Sequence, residues 1–232
     1  MFSESADLYD LIYSEFKDFQ EEARQVAALI KDRCPDARSI LDVGCGTGRH
    51  AATLNQEFAF QVDGLDIEPG FLQIAAARCP EGTFTLGDMA DFDLQKRYDV
   101  VLCLFSSIGY VKTLERLRSA ARAFRRHLLP GGVGLVEPWF APDEFQAGRV
   151  YLQTVDREDI KIARMSQSQV EGHISRLEFH YLVGGSDGVR HLEEVHELGL
   201  FTVEDLQADD PIVLAVSGHV ELRHRAGDRF AQ

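Results

Sequence analysis

The segment Ser39-Ile-Leu-Asp-Val-Gly-Cys-Gly-Thr-Gly-Arg constrains the fold of this chain more than any other. Residues 39–43 read as a short buried strand that runs straight into a glycine turn, and residues 49–57 behind the turn carry a helical pattern. Glycines at such a turn remove side chains, so that a ligand can approach backbone N–H groups at a helix start. A dinucleotide fingerprint would need Gly-x-Gly-x-x-Gly, and Arg49 holds the slot of the third glycine, which weakens a nicotinamide reading.

The alternation of strand and helix continues. A strand at 61–66, a helix at 69–78 opened by Pro69, a strand near 83–86 and a strand at 99–105 follow in order. A helix at 113–128, stopped by Pro130-Gly-Gly, and a strand at 133–137 complete the series. Ahead of it, Phe19, Ala23, Val26, Ala27 and Ile30 form one stripe of an amphipathic helix over 18–33. Strands alternating with helices predict a doubly wound, mostly parallel Rossmann-like α/β sheet covered on both faces.

After Pro138 the texture changes. Segments 149–155, 160–168, 174–183 and 190–201 are rich in Val, Ile, Tyr, Phe and Thr and carry no helical stripe. They read as antiparallel hairpins, the last of them placed to join the main sheet as an edge. The expected organisation is an α/β domain with an N-terminal helical cap over 1–137, a β-rich insertion over 138–200 and a C-terminal segment over 201–232.

Composition narrows the function classes. The chain has 232 residues, 45% hydrophobic and 27% charged, in the range of one soluble core. Lys and Arg total 24 against 38 Asp and Glu, a formal net charge of −14 that repels phosphate backbones, so general nucleic-acid binding is not expected. Cys34, Cys45, Cys79 and Cys103 are far apart with no Cys-x-x-Cys pair, which predicts reduced thiols and no zinc site. The start Met-Phe-Ser-Glu-Ser is acidic where a signal peptide is basic, and no apolar run reaches the roughly 18 residues of a membrane span. These features predict a cytoplasmic protein without membrane partners.

Ligand chemistry collects at the carboxyl ends of the strands. The second strand ends in Gly64-Leu-Asp66, and an acid there can accept both hydrogens of a ribose diol, which implies a nucleoside. The third strand is followed by Gly87-Asp88-Met89 and the fourth by Leu104-Phe105-Ser-Ser-Ile-Gly-Tyr110. Open α/β sheets bind ligands beyond the carboxyl ends of their strands, so the four segments are expected to meet in one crevice. His127 is read as a capping cation at a helix C-terminus away from that crevice, and His173 and His191 as solvated hairpin residues.

As a set, Asp42-Val-Gly-Cys-Gly-Thr-Gly, Asp66, Gly87-Asp-Met and Leu129-Pro-Gly-Gly resemble the class I S-adenosylmethionine-dependent methyltransferases. The resemblance implies that S-adenosylmethionine is the cofactor. It assigns the ribose hydroxyls to Asp66, the adenine amino group to Asp88 and the adenine faces to Met89 and Leu104. The methionine end falls to the turn Gly44 to Gly46, with Asp42 in the same motif and Tyr13 reaching the carboxylate.

Further segments are similar to the nucleotide-linked aminosugar N,N-dimethyltransferases of macrolide deoxysugar pathways, up to about residue 205. They include Leu8-Tyr-Asp-Leu-Ile-Tyr, Phe105-Ser-Ser-Ile-Gly-Tyr, Val136-Glu-Pro-Trp-Phe, Ser175-Arg-Leu-Glu-Phe-His and Leu198-Gly-Leu-Phe. This resemblance implies a dTDP-linked aminosugar as substrate, a homodimer contacted through the β-rich part, and sugar-nucleotide contacts at Trp139, Tyr151, Arg164, Ser168 and Arg176. Tyr110, or a water it orients, would accept the proton of the amine. The chain departs from the family in having Tyr110 and Phe2 where some relatives carry His and Tyr. Its tail, from Asp209-Asp-Pro onward, also lacks the family's final Arg-Gly.

Overall fold

A computed structural model of the protein describes residues 6–207 and 213–215. Phe2 and the tail residues 209–212 and 216–218, singled out in the sequence, lie outside the described residues. The α/β half contains α1 (Ala6–Tyr13), α2 (Phe19–Arg33), β1 (Ser39–Val43), α3 (Arg49–Phe58), β2 (Gln61–Asp66) and α4 (Pro69–Arg78). It continues with β3 (Phe84–Leu86), β4 (Tyr98–Cys103), α5 (Leu114–Arg126) and β5 (Leu128–Val136). The β-rich half contributes β6 (Val150–Asp156), β7 (Lys161–Glu171), β8 (Ile174–Gly185) and β9 (Gly188–Gly199), followed by α6 (Val203–Gln207) and β10 (Val213–Ala215).

Consecutive residues of β1 and β4 are buried, Ile40 and Leu41 in one and Val100 to Cys103 in the other. Successive side chains of a strand point to opposite faces, so both faces of this sheet must be covered. On one side Ile40, Val100 and Leu102 pack against Ala23, Val26 and Ile30 of α2 and Leu54 of α3. On the other, Leu41, Val101 and Cys103 meet Leu117, Ala120 and Phe124 of α5. The strands are parallel in the order β10-β5-β4-β1-β2-β3. From β1 the chain winds outward through β2 and β3, then returns to β4 on the opposite side, so a crevice opens at the carboxyl ends of β1 and β4.

The second sheet, β6-β7-β8-β9, is antiparallel throughout. Its inner face carries Ile162, Phe179, Tyr181 and Val183, which pack on Leu8 and Ile12 of α1. Tyr9 and Tyr13, on another side of α1, pack with Phe19 and Phe71 of the α/β half. Asp10 fixes this helix from the polar side, accepting from Thr47 Oγ1 at 2.8 Å and Arg49 Nε at 2.9 Å and pairing with Arg78 of α4. Arg49, which occupies the slot of a third glycine, therefore ties the N-terminal cap to the glycine turn.

Three expectations are corrected. The segment at 190–201 does not join the main sheet; β9 pairs along β8 from Gly185↔Gly188 to Ile174↔Gly199, and the edge beside β5 is β10. Pro130-Gly-Gly does not separate helix from strand, because β5 begins at Leu128 and absorbs those residues in a register shift against β4. His127 caps α5, but not as a cation. Its Nδ1 lies 2.7 Å from the Ala123 carbonyl and its Nε2 accepts from Leu94 N at 2.9 Å, which is the bonding of a neutral imidazole.

Candidate active site

The crevice between the two sheets is a cleft of about 400 Å³, floored by the ends of β1, β2 and β4 and roofed by the inner face of β6 to β9. At its floor, Gly44 N and Cys45 N donate to the Leu65 carbonyl at 2.7 and 3.1 Å, which fixes the turn against β2. Gly44 has φ +72°, and a Cβ there would meet Ser107 Cβ at 2.7 Å. Gly46 has φ +54° and nothing within 4 Å of where its Cβ would stand, so the volume of that missing side chain is open to a ligand.

Asp66 stands at the end of β2 and accepts from Gly46 N at 2.8 Å and Glu68 N at 2.9 Å. Burial pushes its carboxyl above the ordinary value, opposed by these backbone donors. Asp88 behaves oppositely. Burial raises it, but Arg116, which reaches both its oxygens at 2.9 and 2.7 Å, and Ala90 N hold it below the usual carboxylate range. Met89 lines the wall beside it.

Past β4 the chain places two non-glycine residues in succession in the left-handed region, Phe105 at φ 51° and Ser106 at φ 57°. Such a conformation costs energy and persists only where the surroundings fix it. Here Glu137 accepts from Phe105 N at 2.7 Å and Ser106 Oγ donates to the Pro138 carbonyl at 3.0 Å. The kink turns the Phe105 ring edge-on to Tyr13 at 5.2 Å and starts the short 3₁₀ turn Ser107–Val111 that carries Tyr110. Tyr110 Oη lies 2.7 Å from His196 Nδ1.

Of the residues singled out in the sequence, Tyr13, Gly44, Gly46, Asp66, Asp88, Met89, Tyr110, Trp139, Tyr151 and Ser168 line the cleft. Trp139 also donates from Nε1 to Ser175 Oγ at 2.9 Å, so it is both packed and presented to the cleft. Four residues do not line it. Asp42 is 2% exposed behind the turn, and Leu104 packs into the core on the α2 side of the sheet. Arg164 is sealed behind the cleft wall, its guanidinium 5.0 Å from the Tyr13 ring and 4.9 Å from Phe179, with Nη2 donating to Gln153. Arg176 is drawn away by an ion pair with Glu178. His191 is exposed, stacked 5.6 Å from His180, and His173 is exposed in the β7–β8 turn.

The cations on the cleft are instead Arg116 and the exposed Arg149. His196, Phe140 and Phe145 also line it and had no site role assigned from the sequence, although Phe140 ends the Val136-Glu-Pro-Trp-Phe segment. A signal for His196 existed, since period two along β9 puts Glu194, His196 and Leu198 on one face.

Comparison with known proteins agrees with this geometry. The profile of a methyltransferase-domain family matches residues 40–132. A dTDP-3-amino-3,6-dideoxy-alpha-D-glucopyranose N,N-dimethyltransferase from Streptomyces fradiae is 43% identical over 206 residues, covering 88% of this chain and 80% of the relative. A dTDP-3-amino-3,4,6-trideoxy-alpha-D-glucopyranose N,N-dimethyltransferase from Streptomyces venezuelae is 42% identical, covering 88% and 86%. The chain belongs to the dTDP-aminosugar N,N-dimethyltransferase family. The crystal structure of Streptomyces venezuelae DesVI matches it with a TM-score of 0.83 at 42% identity, over 88% of this chain and 86% of that one. An S-adenosylmethionine-bound amino pentose methyltransferase from Micromonospora echinaspora matches with a TM-score of 0.79 at 38% identity, over 87% and 85%.

The protein is thus an S-adenosylmethionine-dependent methyltransferase. Its cleft fits that cofactor: the space above Gly46 is free, an acid ends β2, and the walls between are mainly apolar. Among the described residues no helix of the methyltransferase is long and apolar enough to cross a membrane.

Proposed function

We propose that this methyltransferase transfers methyl groups to the amine of a dTDP-linked aminosugar, twice at the same nitrogen. The observation that carries the reading is the two-sided cleft. Its floor offers the glycine turn, Asp66 and Asp88, and its roof offers Trp139, Tyr151, Ser168 and, at the rim, Arg149. One side suits a nucleoside donor and the other a bulky acceptor with an anionic end. Asp66 would hold the ribose hydroxyls, Asp88 and Met89 the adenine, and the glycine turn with Tyr13 the methionine end. Arg149 would pair with the diphosphate, in place of the sugar-nucleotide contacts expected at Arg164 and Arg176.

When bound, the cofactor supplies an electrophilic sulfonium methyl. The chain's own contribution is alignment: the floor and the roof hold the two reactants in one orientation, which replaces a bimolecular encounter. The aromatic wall of Tyr13, Phe105, Tyr110 and Phe140 keeps water out and favours the uncharged amine that can attack. A homodimer paired through the β-rich half and a cytoplasmic location complete the proposal; Cys34, Cys45, Cys79 and Cys103 are all free thiols.

The test is mass spectrometry of products from purified enzyme, S-adenosylmethionine and a panel of dTDP-aminosugars. A gain of two methyl groups is expected. Arg149→Ala should raise KM for the nucleotide sugar about tenfold or more and leave kcat within a few-fold, because it removes a charged contact remote from the amine. No methyl gain while the cofactor still binds would move the acceptor to another class of small amine.

A further inference from the structure

Three residues of the β-rich half make a chain of hydrogen-bonding groups that ends in the cleft. Tyr110 Oη is 2.7 Å from His196 Nδ1, His196 Nε2 is 3.5 Å from Glu194 Oε2, and Tyr181 Oη donates to the same oxygen at 3.2 Å. His196 is 2% and Glu194 6% exposed. Phe179 meets the imidazole edge-on at 5.1 Å and so fixes the ring plane.

We propose that His196, oriented by Glu194, is the base of this methyltransferase and takes the amine's proton through the Tyr110 hydroxyl. The inference rests on the amine-acceptor reading of the cleft. The bonding fixes the tautomer: Nε2–H points at the Glu194 carboxylate, which leaves Nδ1 unprotonated to accept from Tyr110. Attack forms the N–C bond, breaks the S–C bond and leaves a proton on a cationic nitrogen. That proton passes to Tyr110 Oη as the phenolic hydrogen passes to His196 Nδ1, so Tyr110 stays neutral at each stage and the positive charge ends on the imidazole beside Glu194. Two features agree. Burial pushes the Tyr110 hydroxyl well above its ordinary value, so it conducts a proton but does not ionise. Burial also lowers His196, against the pull of Glu194, so the ring is neutral and ready to accept. Among the described residues, His196 faces Tyr110 from the 3₁₀ turn and Glu194 on its own strand, Tyr181 on β8 shares the Glu194 oxygen, and the Arg164 cation on β7 adds to the lowering of the ring.

Dimethylation makes the relay matter twice, because the monomethylated ammonium must lose a proton before it attacks again. His196→Asn and Tyr110→Phe should each lower kcat by about 10²-fold and shift the product toward the monomethyl sugar. The double variant should be no slower than either single one, since both interrupt one path. Tyr110→Phe removes a single oxygen and keeps the readout if His196→Asn does not fold.

A second readout needs neither cofactor nor sugar. Nitrogen NMR of the free protein should show His196 protonated at Nε2 and titrating below free imidazole, and Glu194→Gln should lower it further. His196 protonated at Nδ1 in neutral solution would overturn the relay. So would an unchanged pH profile and product ratio in both single variants, measured where the unmodified enzyme dimethylates the sugar. An unmodified enzyme that methylates no aminosugar, with the NMR result as expected, would instead remove the substrate assignment.

Discussion

Asp42 shows how far one buried carboxyl can act against folding. It is 2% exposed, and burial pushes it up to about 6; His50 opposes that shift and Asp66 adds to it. A folded-state value above the ordinary one near 3.9 means that the native protein binds the proton more tightly than the unfolded chain. The cost is therefore absent below about pH 4, grows as pH rises and is complete above about pH 6, at about 3 kcal/mol. Asp42→Asn should remove that slope. In denaturant titrations its stability relative to the unmodified protein should rise by up to about 3 kcal/mol between pH 4 and pH 7; a difference that does not change with pH would take Asp42 out of the folding balance. Gly44 presents the opposite case, where a missing side chain is required, since its φ of +72° and the 2.7 Å approach to Ser107 leave no room for alanine.

The α1 element joins the two halves of the molecule, and its polar anchor is Asp10. Burial raises the Asp10 carboxyl, but bonds from Arg49, Arg78 and Thr47 outweigh it and hold the group below its ordinary value. With the folded value depressed, the clamp stabilises fully above the ordinary carboxylate range and is lost as pH falls through the folded value. Asp10→Asn should cost about 1–3 kcal/mol at pH 7 and weaken cofactor binding, because α1 carries Tyr9 and Tyr13 to the cleft. Unfolding titrations should find that cost shrinking toward pH 3, and a cost independent of pH would contradict the clamp. None of this was legible in the sequence, since Asp10 and Thr47 are distant in the chain and no local pattern joins them. What was legible was local: the stripe of α2, the glycine turn, the apolar runs of β1 and β4 and the period-two hairpins. The misses share one cause, that tertiary pairing overrode a local signal. β5 runs through Pro130-Gly-Gly because β4 offers a partner beside it, and Arg164 is buried because alternation along β7 turns it inward onto Tyr13 and Phe179.

At the scale of the whole molecule, the outer face of the second sheet has no cover among the described residues. Leu152 and Met165 stand directly opposite one another on β6 and β7, and both are more than half exposed, as is Leu182 on β8. The Leu152–Met165 row runs on into His180 and Glu193, so the face presents an apolar patch with a polar border, the pattern of an association site. A net charge of −14 opposes self-association, so two copies would have to meet where an apolar patch outweighs it, and this face is the proposed dimer contact. Light scattering should give a mass of twice 26.0 kDa. Leu152→Lys with Met165→Lys should give the monomer mass, since burying four ammonium groups, two from each copy, on a twofold contact costs far more than the apolar area returns. The cleft is lined from within one chain and opens on the other face of this sheet, so that monomer should bind S-adenosylmethionine as tightly as the dimer does. A single mass for both proteins would remove the contact from this face, and a monomer that has lost the cofactor would mean that the partner copy holds the roof in place over the cleft.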